Sequence, residues 1–359
     1  MLQSPVDSDL ILFQGVGRLS WVSNDCGKTI LLIDHGRKAL RFSFHPDLTM
    51  YILGLFEPLN CRSKKCRSSG ELALSTDWGK SWKVVQKNIL DFSWTHSKKF
   101  IDRIVVLRKK PEVDKLSPLV ITSTTTAIKE LPFQVLYSDN HFVTERILRD
   151  GAERFAITTH YIFVSFKDPL AAIGGPKRLQ LSVGDIDSPL ISLSPVELPG
   201  SILESHSYTI LESTQQRVFL HVTHSISGLQ YGHIYVSNSW GRKFDLSLEF
   251  NVKNQFGYCD FDRINALENF YIANHYEEDS LRLARYQIEA SQRENIRDND
   301  VSDLLVKKTK ITFNKGRTWH PITPPKGRLI LIRRRRVRTK RRLYIASEFS
   351  QRDSSRTDN

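Results

Sequence analysis

Ser75-Thr76-Asp77-Trp78-Gly79-Lys80-Ser81-Trp82 is the stretch that decides how this chain folds. It spells a turn of the form Ser/Thr-x-Asp/Asn-x-Gly-x-Ser/Thr-aromatic, an Asp-box, and each residue type has a physical reason. Asp or Asn accepts hydrogen bonds from nearby backbone N–H groups, and Gly supplies the left-handed conformation of a tight hairpin. The terminal aromatic packs back under the turn and pins the hairpin to its sheet. Thr312-Phe313-Asn314-Lys315-Gly316-Arg317-Thr318-Trp319 repeats the pattern with Asn for Asp. Ser23-Asn24-Asp25-Cys26-Gly27-Lys28-Thr29-Ile30 keeps all but the aromatic. Ser237-Asn238-Ser239-Trp240-Gly241-Arg242-Lys243-Phe244 keeps Ser237, Gly241 and Phe244 but has lost the acid. The residues singled out are therefore Ser23, Asp25, Gly27, Ser75, Asp77, Gly79, Trp82, Ser237, Gly241, Phe244, Thr312, Asn314, Gly316 and Trp319, all read as turn formers or core anchors.

The spacing sets the architecture. Ser23 to Ser75 is 52 residues, Ser75 to Ser237 is 162 and Ser237 to Thr312 is 75. The long gap holds about three periods of 54, and two eroded copies fall inside it, at Tyr137-Ser138-Asp139-Asn140-His141-Phe142 and Ser182-Val183-Gly184-Asp185-Ile186-Asp187. A period of about 50 residues with one hairpin per unit marks β-propeller blades of four strands. Short β-branched and aromatic runs such as Tyr51–Leu55, Arg103–Leu107, Tyr161–Ser165, Val218–Val222 and His233–Ser237 supply the strands. The expected fold is all-β, a β-propeller of about six blades.

Composition permits this. The 359 residues are 40% hydrophobic, enough for a large core, and no apolar run reaches the length of a membrane-spanning helix. The N-terminus, Met1 to Asp9, lacks the basic and apolar regions of a signal peptide. The net charge of +13 is concentrated: Lys326 to Arg342 carries ten Lys/Arg and no acids, which leaves only +3 for the remainder. Cys61 and Cys66 flank a polar loop and can close a small disulfide ring, stay as two thiols or, with less support, join a metal site. Cys26 and Cys259 read as plain buried thiols.

The order of these features resembles the sortilin family of vacuolar protein sorting receptors. Leu19-Ser20-Trp21-Val22-Ser23-Asn24-Asp25-Cys26-Gly27-Lys28-Thr29 looks like a blade start of that family. Phe42-Ser43-Phe44-His45-Pro46 followed by Tyr51–Leu55 resembles its Phe-His-Pro strand pair. Gln180–Val183 through Val196–Pro199, Gly232–Gly241 and Lys308–Trp319 resemble later units, so the likeness covers roughly residues 10 to 325. It implies part of a propeller of about ten blades, with residues 1–325 as the propeller portion and 326–359 as a basic, disordered tail. Closure of six blades on themselves is the other possibility. The resemblance also implies protein or peptide cargo bound in the Golgi and endosome lumen, carried to endosome or vacuole and released on acidification. The cysteine-rich module and membrane span of family receptors do not follow here.

The basic tail reads either as unselected sequence, from a shifted frame or a retained intron, or as a polybasic arm able to bind anionic surfaces or nucleic acid non-specifically. A soluble scaffold that docks through this tail is one rival function. An Asp-box glycoside hydrolase is another. Sialidases, which share the box, open with Arg-Ile-Pro, but Arg103-Ile104 runs into Val105 and Arg263-Ile264 into Asn265. Asp185, Asp187, Asp260 and Asp262 have no catalytic context. No catalytic residue, cofactor or metal is therefore expected. Two polar insertions, Asn60 to Gly70 and Arg282 to Asp303, are expected to be surface loops.

Overall fold

Among the described residues the strands form four antiparallel sheets in which spatial order largely follows chain order. Leu2–Gln3, Ile11–Gln14, Leu19–Ser23 and Leu31–Asp34 make the first. The second has seven strands: Ala39–Phe44, Ile52–Phe56, Gly70–Ser75, Lys83–Trp94, Ile104–Lys109, Phe133–Ser138 and Arg146–Asp150. The third contains Ala152–Ile157, Tyr161–Lys167, Arg178–Asp185 and Ser194–Pro195, with Leu203–Glu204 also pairing with Arg178–Asp185. The fourth runs through Tyr208–Thr214, Arg217–Ile226, Leu229–Ser237, Phe244–Val252, Tyr271–Tyr276, Lys307–Thr312 and His320–Pro321, and Phe261–Arg263 pairs with Tyr271–Tyr276. The computed structural model describes residues 1–59, 69–110, 133–167, 178–199, 203–204, 208–214, 217–226, 229–254, 257–264, 267, 269–293 and 304–322. Cys61, Cys66 and the basic run Lys326 to Arg342 lie outside the described residues.

These meanders give a β-propeller fold. Within it one strand has two roles: Lys83–Trp94 pairs with Gly70–Ser75 through its first half and with Ile104–Lys109 through its second. The ladder slips at Ile89/Asp91, beside Asn88 in the left-handed region at φ 59°.

Burial follows a strand's place in its meander. In the second and third sheets the second strand is closed on both faces: Ile52–Phe56 is buried throughout and Tyr161–Lys167 is buried up to Phe166, whereas Ile11–Gln14 of the first sheet buries only Leu12. First strands such as Ala39–Phe44 and Ala152–Ile157 are half-open, and outer strands such as Leu31–Asp34 and Arg146–Asp150 face solvent. Consecutive sheets pack face to face. Leu10, Leu12, Val22 and Ile33 of the first meet Phe42, Phe44, Ile52 and Phe56 of the second. Val105, Val135 and Tyr137 of the second meet Ile162, Val164, Ile186 and Ile191 of the third. Phe163, Leu181 and Val183 of the third meet Val218, Leu220, Tyr235 and Phe244 of the fourth. Each fully buried side chain of this kind stabilises by about 1.5–3 kcal/mol.

One expectation fails. The charged insertion from Arg282 is not a loop at its start, because Glu278–Arg293 is an α-helix. Its apolar stripe is narrow, Leu281, Ala284 and Ile288, and it packs on Tyr231, Val252 and Tyr276. Glu278 and Asp279 in the first turn suit the positive end of the helix dipole. The Ser280 hydroxyl donates to Glu277 O at 2.7 Å and accepts from Val306 N at 3.1 Å, tying the helix to the strand that follows.

Candidate binding surface

The box residues make one hydrogen-bond pattern several times over. The Ser75 hydroxyl donates to Asp77 Oδ1 (2.8 Å) and accepts from Gly79 N (2.7 Å). Ser81 donates its amide to Asp77 Oδ1 (2.9 Å) and its hydroxyl to Oδ2 (2.6 Å). Ser23, Asp25, Gly27 and Thr29 repeat this set; Thr312, Asn314, Gly316 and Thr318 repeat it with the last bond reversed, Asn314 Nδ2 donating to the Thr318 hydroxyl at 2.8 Å. The Thr29 hydroxyl and amide hold the Asp25 carboxyl down to about 2. Burial works against the same shift at Asp77, where the Ser81 and Ser75 bonds still keep the carboxyl below its ordinary value. The fourth and fifth box positions are both left-handed, as at Trp78 and Gly79 (φ 60° and 88°).

The Ser138 copy is more complete than its sequence suggests. Ser138 donates to Asn140 Oδ1 at 2.9 Å, and Phe142 N and Thr144 N donate to Ser138 Oγ and Asn140 Oδ1. Phe142, at φ 64°, stands where the other copies have Gly. Asp139 is not the box acceptor. The Ser237 copy is shifted by one residue: Asn238 Oδ1 accepts from Trp240 N (3.2 Å) and Arg242 N (3.1 Å), so the lost acid is replaced from the neighbouring position. In the eroded Ser182 copy only an Asp turn remains, Asp187 N donating to Asp185 Oδ1 at 2.8 Å.

The aromatic anchors differ in detail. Phe244 is fully buried, while Trp82 is half-buried among His35, Phe42 and Phe56. Trp82 Nε1 donates to Gly79 O at 2.9 Å; Trp319 Nε1 instead donates to Ser247 Oγ (3.0 Å), which donates to Gly316 O (2.6 Å). Cys26 is exposed at its box, not buried, and burial pushes the half-buried Cys259 thiol up to about 11. The Arg103 guanidinium is committed to Asp139, Ile186 O and Ser188 O.

One candidate binding surface was not legible as a motif. It is built by the half-open first strands, whose side chains line two neighbouring cavities. One, of 340 Å³, is lined by Arg41, Ser43, Asp91, Phe92, Phe155 and Ile157. The other, of 150 Å³, shares Phe155 and adds Glu153, Arg154, Tyr208 and Ile210. Arg41 pairs with Asp91 at 2.6 Å and lies over the Phe92 ring, 4.2 Å from its centroid. The wall offers aromatic area beside charges of both signs, and it crosses the boundary between the second and third sheets.

Comparison with known proteins places the chain in a family. The profile of the Sortilin-Vps10 family, described as sortilin, neurotensin receptor 3, matches residues 1–358. The chain belongs to that family. The Sortilin-Vps10 match runs past Pro325, where the likeness read from the sequence ends, and through the basic segment. The vacuolar protein sorting/targeting protein 10 of Aspergillus fumigatus is 25% identical over 286 residues, covering 79% of this chain. That of Laccaria bicolor is 25% identical over 285 residues, and that of Paracoccidioides lutzii 28% over 194. The chain spans 17% of the length of the first two relatives and 11% of the third. Among solved structures it is similar to the β-propeller domain of the trilobed protease from Pyrococcus furiosus, at 10% identity and TM-score 0.42 over 80% of this chain and 71% of that one. The tricorn protease gives 10% identity and TM-score 0.45 over 89% of this chain and 30% of that one. Among the described residues no helix is long and apolar enough to cross a membrane, and no group of His, Cys, Asp and Glu is arranged to hold a metal.

The Phe-His-Pro turn of this Sortilin-Vps10 chain gives a pH dependence with a definite sign. His45 is buried; its Nδ1 accepts from Asp47 N (3.0 Å) and Leu48 N (2.9 Å), so the proton sits on Nε2 and is donated to Ile101 O (3.0 Å). Desolvation lowers its pKa from 6.5, as it does for His35 and His275. A folded pKa below the unfolded one means that the unfolded chain takes up the proton first. Stability is therefore full above pH 6.5 and falls as the pH drops from there towards the folded values. The melting temperature is expected to be lower at pH 5 than at pH 7. His45→Asn, which keeps an acceptor near the Nδ1 position but cannot titrate, should melt lower at pH 7 and lose part of that dependence. An unchanged pH slope in the variant refutes the assignment to His45.

Proposed function

We propose that this chain is the ligand-binding part of a sorting receptor's luminal region, taking protein or peptide cargo along the wall of first strands. On this reading it binds without catalysis, in Golgi and endosome lumen, for transport to endosome or vacuole. Membership of the Sortilin-Vps10 family supports a receptor over an enzyme. The observation that carries the binding mode is the pair of cavities on either side of Phe155, with Arg41, Asp91 and Phe92 beside them. Aromatic and arginine side chains are the groups that most often dominate protein interfaces; here Arg41 is exposed and Phe155 half-buried, while Phe92 lies buried beneath Arg41.

The further organisation is part of the same proposal. The strand order fits about six blades within a larger propeller, residues 1–325 being propeller and 326–359 a separate basic tail able to meet anionic surfaces. The box residues Ser23, Asp25, Ser75, Asp77, Thr312 and Asn314 serve the hairpins, not the cargo.

Selection of binders from a displayed random-peptide library, with affinities of the recovered peptides measured by interferometry, tests this reading. Arg41→Glu and Phe155→Ala should each weaken peptide binding at least about ten-fold, with no turnover of peptide or glycan. Affinity unchanged in both variants would overturn the assignment of the wall.

A further inference from the structure

We propose that the cleft beside Trp240 is a carbohydrate site that takes a neutral pyranose. It stacks the sugar on the indole and bonds its hydroxyls through Asp185 and Arg242. This goes beyond cargo binding and lies on other residues than the first-strand wall. The cleft has a volume of 710 Å³, within the range of small-molecule sites. It opens between the Asp185 turn of the third sheet and the shifted box of the fourth, with His160, Asp187 and Ser192 among its lining.

The box at this corner is the shifted copy. Where the pattern is complete, Trp78 at the fourth position is left-handed, packs on the core of Leu10, Leu12 and Phe42, and has the Lys80 ammonium 5.4 Å from its ring centroid. In the shifted copy Asn238 replaces the acceptor two residues ahead of Trp240, and the indole is 71% exposed. Gly241 beneath it packs against Val183, Phe163 and Tyr161, and the Tyr161 hydroxyl donates to Ser239 O, so the platform is rigid.

The charges select the ligand. Asp187 is engaged by the Ser97 hydroxyl at 2.6 Å and stands 4.0 Å from His160. Asp185 receives one amide, from Asp187, and among the described residues no cation pairs with it. Arg242 uses only its backbone groups, donating N–H to Asn238, and among the described residues its guanidinium meets no acid. One open carboxylate and one open guanidinium beside a bare indole cancel in charge. They offer the acceptor and donor pair that hydroxyls of a sugar ring require, while the C–H face of the ring covers the indole.

Saturation-transfer NMR with the methyl glycosides of mannose, glucose, galactose and N-acetylglucosamine tests the site. At least one glycoside should receive saturation on its ring protons and remain uncleaved. Trp240→Ala, which removes an exposed side chain and should leave the melting temperature unchanged, is expected to abolish the signal. Asp185→Asn should weaken binding about ten-fold, while Trp78→Ala and Arg41→Glu retain it. No transfer to any glycoside, or transfer that survives in Trp240→Ala, overturns the proposal. So does selective binding of a zwitterionic dipeptide, glycylglycine, at Trp240 in place of every glycoside. Because Arg41→Glu separates this cleft from the first-strand wall, either assignment can fail without the other.

Discussion

Replacing Arg103 with methionine is expected to destabilise the protein by about 3 kcal/mol, since it removes the buried partner of an ion pair whose carboxylate is 32% exposed. The Arg103 side chain is fully buried, and its Nε and Nη2 form a forked pair with Asp139 at 2.6 and 3.1 Å. Its remaining nitrogen, Nη1, donates to Ile186 O (2.6 Å) and Ser188 O (2.8 Å), and the group lies 3.9 Å from the Phe100 ring centroid. Those carbonyls belong to the turn after the third strand of the next sheet. Neighbouring groups close on the same turn: Ser97 donates to Asp187, Arg146 donates to Pro189 O at 2.9 Å, and Ile191 N donates to Tyr137 Oη at 3.3 Å. Methionine fills the volume but leaves Asp139 and two carbonyls without their donor. Urea unfolding with Asp139→Asn as companion separates the contributions. A double variant costing as much as the sum of the two singles denies the coupling, and a loss below about 1 kcal/mol refutes the buried-pair argument.

Gly316→Ala should cost about 3 kcal/mol, from a side chain forced into the left-handed region and from overpacking. Gly79→Ala, in the equivalent position of the sharper box, should cost only about 1–2 kcal/mol. Both glycines have positive φ, 75° and 88°. The difference is space. A Cβ on Gly316 would stand 2.6 Å from the Phe219 ring and 2.7 Å from Ser247 Oγ, whereas on Gly79 its nearest neighbours would be at 3.6 Å. Phe219 is locked between Phe261 and Tyr271, and Ser247 is held by its bonds to Trp319 and Gly316, so neither gives way easily. Equal thermal shifts for the two alanine variants would show that conformation alone decides the cost.

The fold was legible because the box is a local motif: Ser, Asp and Gly at fixed offsets satisfy one another whatever surrounds them. The same locality explains why the pattern stands out in the sequence at Ser75 and Thr312 and only in part at Ser138. There the Gly position is held by Phe142, whose left-handed backbone no propensity would suggest. The helix Glu278–Arg293 escaped notice because only Leu281, Ala284 and Ile288 face inward, too thin a stripe among charges to outweigh a loop reading. The candidate wall was illegible for a different reason. Arg41, Asp91 and Phe155 come from three strands and become neighbours only when sheets pack, so no spacing in the chain announces them. Trp240 was visible as a variable box position, but the cleft beside it is assembled from two sheets and so no spacing in the chain announces it.

The strand Lys83–Trp94 bears on how such a protein can change its number of repeats over evolution. Solenoid and propeller genes ordinarily gain or lose a repeat at a loop, where one unit ends and another begins. Here no loop exists at that point, since a single run of backbone is the outermost strand of one unit and the opening strand of the next. A recombination joint placed there would sever a hydrogen-bonded ladder on both sides. A joint inside this strand must keep the register of both ladders, so the two units are expected to be duplicated or lost together more often than apart.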